Sequence, residues 1–168
     1  MNTIILAAAF GKNYELGTES GAPLWNLPDE YNRFRESIRS FPIIIGRKSF
    51  DVIRQPLEDS LNIVVTHRND YNGHGALVVH SIEEAIAAAK PAEKIYIIGG
   101  GDIFKMAMDF ADRMEISRID KAFTGANAFF PRFSTEKWKL ISTQRHEIDE
   151  RHAYAFDFEV WERIYNKS

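Results

Sequence analysis

Short, mostly apolar runs closed by glycine or polar residues constrain this chain most: residues 3–9, 42–45, 61–66 and 94–98. A strand covered on both faces is written as such a run, whereas a half-exposed strand alternates. Helical patterns lie between the runs, and that alternation predicts an α/β fold with a largely parallel sheet. A short strand is expected at 76–79. A helix should follow from Ile82 to about Lys90, opened by a capping box of Ser81 and Glu84 and ended by Pro91. After Gly101 a further helix is expected, with Ile103, Met106, Ala107 and Phe110 on one side. The final third reads as strands at 113–119, 138–145 and 153–161, the last two alternating like an antiparallel hairpin with one wet face. No repeat or interdomain linker interrupts the pattern, so residues 1–168 are expected to form one domain.

Composition narrows the function classes. A net charge of −3 and a pI near 6.0 give no basis for a nucleic-acid or anionic-membrane partner. No apolar run is long enough to span a bilayer. The N-terminal segment lacks a charged start and reads as a buried strand rather than a signal peptide. Without cysteine there is no disulfide framework, thiolate metal site or cysteine nucleophile. A cytoplasmic monomer is the expectation. The five histidines, His67, His74, His80, His146 and His152, show no metal-ligand spacing, and no metal site is expected. There is also no G-x-S-x-G and no P-loop.

Pro28 is suited to the first turn of a helix, and Leu27, Tyr31, Phe34 and Ile38 then define an apolar stripe. Glu30 points along that stripe, whereas Asp29, Arg33, Glu36 and Arg39 read as solvated. A carboxylate on an apolar face needs a partner. Either a neighbouring backbone satisfies it or a ligand does.

Three strand ends carry anion-suited groups. Residues 42–45 run into Gly46-Arg47-Lys48-Ser49, residues 61–66 end in Thr66-His67-Arg68, and residues 94–98 lead to Gly99-Gly100-Gly101-Asp102-Ile103-Phe104. Open α/β sheets bind ligands outside such ends, and glycines let a ligand approach the backbone closely. Together the three junctions point to a nucleotide site. Residues 11–21 form a long polar loop leading to the Glu30 helix, of a length usually tied to function.

Taken in order, Ala8-Ala9, Leu16-Gly17, Trp25-Asn26-Leu27-Pro28-x-Glu30 with Phe34, Ile45 to Phe50, Pro56-Leu57, Asn62-Ile63-Val64, Ile98 to Gly101 and Phe130-Pro131 resemble the dihydrofolate reductase family. The resemblance implies an eight-stranded, mostly parallel central sheet with flanking helices and an antiparallel C-terminal hairpin. It also implies NADPH-dependent reduction of 7,8-dihydrofolate. In that scheme Glu30 is the single active-site acid, paired with the pterin N3 and 2-amino group. Ala8, Ala9, Leu24, Tyr31, Phe34, Ile53 and Ser117 line the substrate site. Ala9, Leu16, Gly17, Gly46, Arg47, Lys48, Ser49, Thr66, His67, Arg68 and residues Gly99, Gly100, Gly101, Asp102, Ile103 and Phe104 hold the cofactor. Residues 11–24 would be a mobile cover, and Gly99–Gly100 would be joined by a cis peptide.

The chain departs from the family pattern at four places. Leu24 stands where a proline precedes the tryptophan, Phe104 replaces a tyrosine, and Asn127-Ala128 replace Asp-Thr. Ser60 occupies the place of an arginine that grips the folate tail, a role open here to Arg54 or Arg33. Two other readings stay open: a related reductase of the same fold, such as the pyrimidine reductase of riboflavin synthesis, and a non-catalytic nucleotide-binding module.

Overall fold

In a computed structural model the described residues are 2–17, 24–53 and 55–165. They form an eight-stranded sheet ordered β5-β4-β3-β6-β1-β7-β10-β9. Its strands are β1 (Thr3–Phe10), β3 (Ile43–Gly46), β4 (Asn62–Val65), β5 (Leu77–Val79), β6 (Lys94–Ile97), β7 (Arg113–Ile119), β9 (Trp138–His146) and β10 (Phe156–Arg163). All neighbouring pairs are parallel except those of β10, which runs antiparallel to both β7 and β9. A small second sheet pairs β2 (Glu15–Gly17) with β8 (Ala128–Phe129).

Helices cover both faces: α1 (Pro28–Ile38), α2 (Arg47–Ile53), α3 (Ile82–Ala89) and α4 (Gly101–Ala107). Strands β3 and β4 are buried throughout, as their apolar runs require. On one face Ile5, Ala7, Ile43 and Tyr96 pack with Ile38 and Phe34 of α1; on the other the core joins Ile4, Leu6, Ile44 and Ile97 to α3 and α4. Period-two alternation along β1 thus divides its side chains between two helical layers. Ser81 caps α3 by accepting from the Glu84 N–H at 3.0 Å, while the Glu84 carboxylate takes the N–H of His80 at 3.1 Å. The helix ends before a cis Lys90–Pro91 bond.

The buried side of α4 is Ile103, Phe104 and Ala107, whereas Met106 and Phe110 are exposed. The regular helix ends at Ala107 and tightens into a 3-10 turn over Met108–Phe110, so a 3.6-residue stripe cannot be continued through it. Residues 11–17 are less irregular than their polarity suggests. Glu15 is buried, and its carboxylate accepts from the N–H groups of Asn13 and Phe123, tying β2 to the turn after β7. Residues 18–23, within the expected mobile cover, lie outside the described residues, as does Arg54.

Candidate active site

The Glu30 carboxylate stands at the bottom of a cavity of about 350 Å³ between α1 and the ends of β1 and β6. Pro28 opens α1 and places Glu30 in its first turn, one residue after Asp29. Glu30 is only 8 % exposed. Burial raises its carboxyl pKa above the ordinary carboxylate value, and the Arg33 guanidinium and the Ser117 hydroxyl offset only part of that rise. The cavity is lined by Ala7, Ala8, Ala9, Leu16, Gly17, Glu30, Tyr31, Phe34, Ser49, Val52, Ile98, the three glycines 99–101, Phe104 and Ala128.

Arg33, expected on a solvated azimuth of the helix, is half-buried. Its Nη2 lies 3.5 Å from Glu30 Oε1 and donates to Ser117 Oγ at 3.2 Å. Its guanidinium carbon sits 3.7 Å from the centre of the Phe158 ring. Three residues separate it from Glu30, so the two share a helix face. The strand partners make the arrangement: Ser117 of β7 is in register with Ala9 of β1 and Phe158 of β10.

A second, larger cleft of about 1080 Å³ adjoins the first and shares Ser49, Val52, Gly100, Gly101 and Ala128 with it. It brings together Gly46, Arg47, Lys48, Thr66, His67, Arg68, Asp102 and Ile103, from the three strand ends. It also takes in Asn13 and Tyr14 from the expected cover, Asn127 and residues 129–132 around Phe130-Pro131, and Lys105 and Met106, which the sequence reading did not place at the site. Their shared position comes from the β2–β8 pairing, which folds two distant loops together. Arg47 is ion-paired to Asp51 at 2.9 Å, whereas no ion pair among the described residues engages Lys48, Arg68 or Lys105.

The glycine turn is built for close approach. The Gly99–Gly100 peptide is cis. A Cβ on Gly46 would lie 2.8 Å from Ile103 Cγ1, and one on Gly101 would lie 3.0 Å from the Phe129 carbonyl oxygen. Neither site accepts a side chain without displacing a neighbour. Three expected site residues stand elsewhere. Ile53 is exposed at the end of α2, and Val52 faces both cavities in its place because a short helix turns successive residues about 100° apart. Ser117 is fully buried and stands behind Glu30 rather than on the cavity wall. Leu24 lines neither cavity.

Two histidines dismissed on spacing converge with two acids. Asp29, His146, Asp149 and His152 place ligand-type atoms within 4.8 Å of one another. Hydrogen bonds account for the cluster. The Asp29 N–H donates to His152 Nε2 at 3.0 Å, so the ring proton is on Nδ1, directed at Asp149 Oδ1 2.7 Å away. His146 meets acceptors at both nitrogens, the Glu147 carbonyl at 2.8 Å and Asp29 Oδ2 at 2.9 Å, which identifies it as an imidazolium. Its pKa is raised, chiefly by that bond to Asp29. Arg151 completes the neutralisation of Asp29 at 2.6 Å.

An open α/β sheet, a buried carboxylate at its strand ends and an adjoining basic cleft define a nucleotide-linked small-molecule site. The family model described as dihydrofolate reductase matches residues 3–163. The dihydrofolate reductase of Bacillus subtilis is 32% identical over 155 residues, covering 92% of this chain and 91% of that protein. That of Neisseria meningitidis serogroup A is 33% identical over 158 residues, covering 93% and 96%. The structure of dihydrofolate reductase from Enterococcus faecalis, complexed with NADP(H) and RAB-propyl, superposes with a TM-score of 0.88 at 29% identity and 96% coverage of both chains. The chain belongs to the dihydrofolate reductase family.

Proposed function

We propose that this protein reduces 7,8-dihydrofolate to 5,6,7,8-tetrahydrofolate with NADPH, and that Glu30 is its catalytic carboxylate. The observation that carries the reading is the Glu30 carboxylate, 8 % exposed, at the floor of a pterin-sized cavity that opens directly onto a basic cleft.

The residues present fit the cofactor. Lys48 and Arg68 line the cleft and supply positive charge that no ion pair among the described residues engages, beside the backbone of Gly46, Gly100 and Gly101. Gly46, Arg47, Lys48, Ser49, Thr66, His67 and Arg68 would hold its adenosine and phosphate end, with Gly99 to Phe104 along the pyrophosphate and nicotinamide. When bound, NADPH supplies a hydride from the nicotinamide C4.

The chain's own part is alignment and electrostatics. Glu30 accepts from the pterin N3–H and 2-amino group, fixing the ring in its plane. Phe34 and Tyr31 hold the ring so that C6 faces the junction of the two cavities. Glu30, tied to the opposite edge of the ring, does not reach N5, so the N5 proton comes from water while the acid holds the ring. The negative charge of Glu30 favours the positive charge that N5 protonation brings.

The test is NADPH absorbance loss with dihydrofolate. Steady turnover is expected. Turnover on a pyrimidine substrate but not on dihydrofolate would favour the related reductase, and no turnover with retained NADPH binding would favour a binding module.

A further inference from the structure

We propose that Arg33 is a positioning residue for this reaction: it holds Glu30 ionised and its carboxylate oriented, by lying between Glu30 Oε1 and Ser117 Oγ. The inference rests on the assignment of Glu30 as the acid.

Four observations carry it. First, Nη2 of Arg33 bridges a side chain of its own helix and one of β7, at 3.5 Å and 3.2 Å. Second, stacking on Phe158 at 3.7 Å fixes the guanidinium plane, so the cation cannot swing into solvent without losing an apolar contact. Third, Arg33 Nε is buried without a hydrogen-bond partner, so the side chain is held there by its far end and its ring contact. Fourth, Glu30 is desolvated, and a buried carboxylate without a counter-charge takes up a proton. A protonated Glu30 would present a hydroxyl where the pterin needs two acceptors.

The surrounding charges agree with this role. From β7, Glu115 lies on the same face as Ser117 and adds negative charge near Arg33, while Arg113 neutralises Glu115 at 3.1 Å. From β6, Tyr96 donates to Glu115 at 3.5 Å, and burial holds its hydroxyl up to about 12, so it stays neutral. Arg33 is therefore the cation that directly contacts the Glu30 carboxylate among the described residues. At 3.5 Å the contact is long for a charge-assisted bond, so it biases the charge without closing off the acceptor edge. The cation and the acid form a pre-set pair beneath the pterin.

The experiment compares wild type with Arg33→Met, which keeps the stem over Phe158 but removes the charge, and with Arg33→Lys. Glutamate side chains labelled with ¹³C at the carboxyl are followed by NMR in the NADPH complex across pH, with Glu30→Gln assigning the signal. The pH dependence of kcat/KM for dihydrofolate is measured beside it. In Arg33→Met the Glu30 titration is expected to move up by about one pH unit or more, since an opposite charge at this range lowers a carboxyl pKa by roughly 1–3 units. The acid limb of kcat/KM should move with it, and Arg33→Lys should restore part of both shifts. A Glu30 titration identical in wild type and Arg33→Met overturns the proposal, as does a loss of stability alone with an unmoved pH profile. If Arg33→Met does not fold, the neutral, polar Arg33→Gln decides in its place: an unmoved Glu30 titration there overturns the proposal, and an upward shift supports it. The NMR titration needs no turnover, so failure of the reductase assignment would be seen separately, in the activity assay.

Discussion

His152→Phe tests how the acid-bearing helix is anchored. Leu27 occupies the N-cap position of α1 and its side chain caps nothing. The acceptor for the first turn comes instead from His152, 123 residues away in sequence, whose wholly buried ring takes the Asp29 N–H at 3.0 Å. Phenylalanine fills the site beside Phe156 with a somewhat larger ring but has no acceptor. The cost is an unsatisfied N–H at a helix start, about 1–3 kcal/mol. A loss of that size should lower the urea midpoint by about 0.5–1.5 M at a slope of about 2 kcal/mol/M. The melting temperature should fall by roughly 2–12 °C. Because Asp29 immediately precedes Glu30, kcat/KM for dihydrofolate should fall as well, while NADPH affinity, set by residues 46–49 and 66–68, should hold. His152→Gln keeps an acceptor and should recover part of the loss. A urea midpoint within about 0.2 M of wild type for His152→Phe would refute the reasoning.

Three further predictions follow from the same contacts. The Lys48, Arg68 and Arg47 cluster should make NADPH raise the melting temperature far more than equimolar NADH, and equal shifts would remove the 2′-phosphate assignment. His146 has a folded pKa raised above its ordinary 6.5, so the stability it contributes is complete below about pH 6.5 and is lost as pH rises through the raised value. Urea unfolding of wild type should weaken across that range, and His146→Gln should flatten the slope; an unchanged slope would contradict the imidazolium. Ser60, whose hydroxyl donates to the Ile38 carbonyl at 3.2 Å, stands where relatives place a tail-binding arginine, and Arg33 is committed to Glu30. Ser60→Arg should therefore lower the KM for dihydrofolate roughly tenfold, equivalent to about 1.4 kcal/mol, with kcat unchanged and no effect on a tail-less dihydropterin.

What the sequence disclosed was governed by local pattern. The apolar runs became the buried strands, residues 113–119 were found at their observed limits, and Pro28 and Ser81 marked helix starts. Glu30 stood out because a carboxylate on an apolar stripe conflicts with its surroundings. The features that escaped are long-range: the His152 cap, the Glu15 tie to Phe123 and the Arg33–Ser117 contact join residues 123, 108 and 84 positions apart. No periodicity encodes such partners. Arg33 was misplaced because its azimuth lies off the apolar stripe, although its spacing from Glu30 put the two side chains within reach of each other. That Val52, beside Ile53, faces the cavities is a matter of helix phase, which a seven-residue segment is too short to define from sequence.

The account stands on the Glu30 carboxylate, and Glu30→Gln removes its charge while keeping its shape. The decisive measurement is steady-state turnover of dihydrofolate and NADPH by wild type and Glu30→Gln at neutral pH, with NADPH affinity measured alongside. The expected result is a loss in kcat of roughly 100-fold or more, with NADPH binding unchanged. Wild-type turnover in Glu30→Gln would contradict the account, because the cavity would then be working without the acid around which it is built.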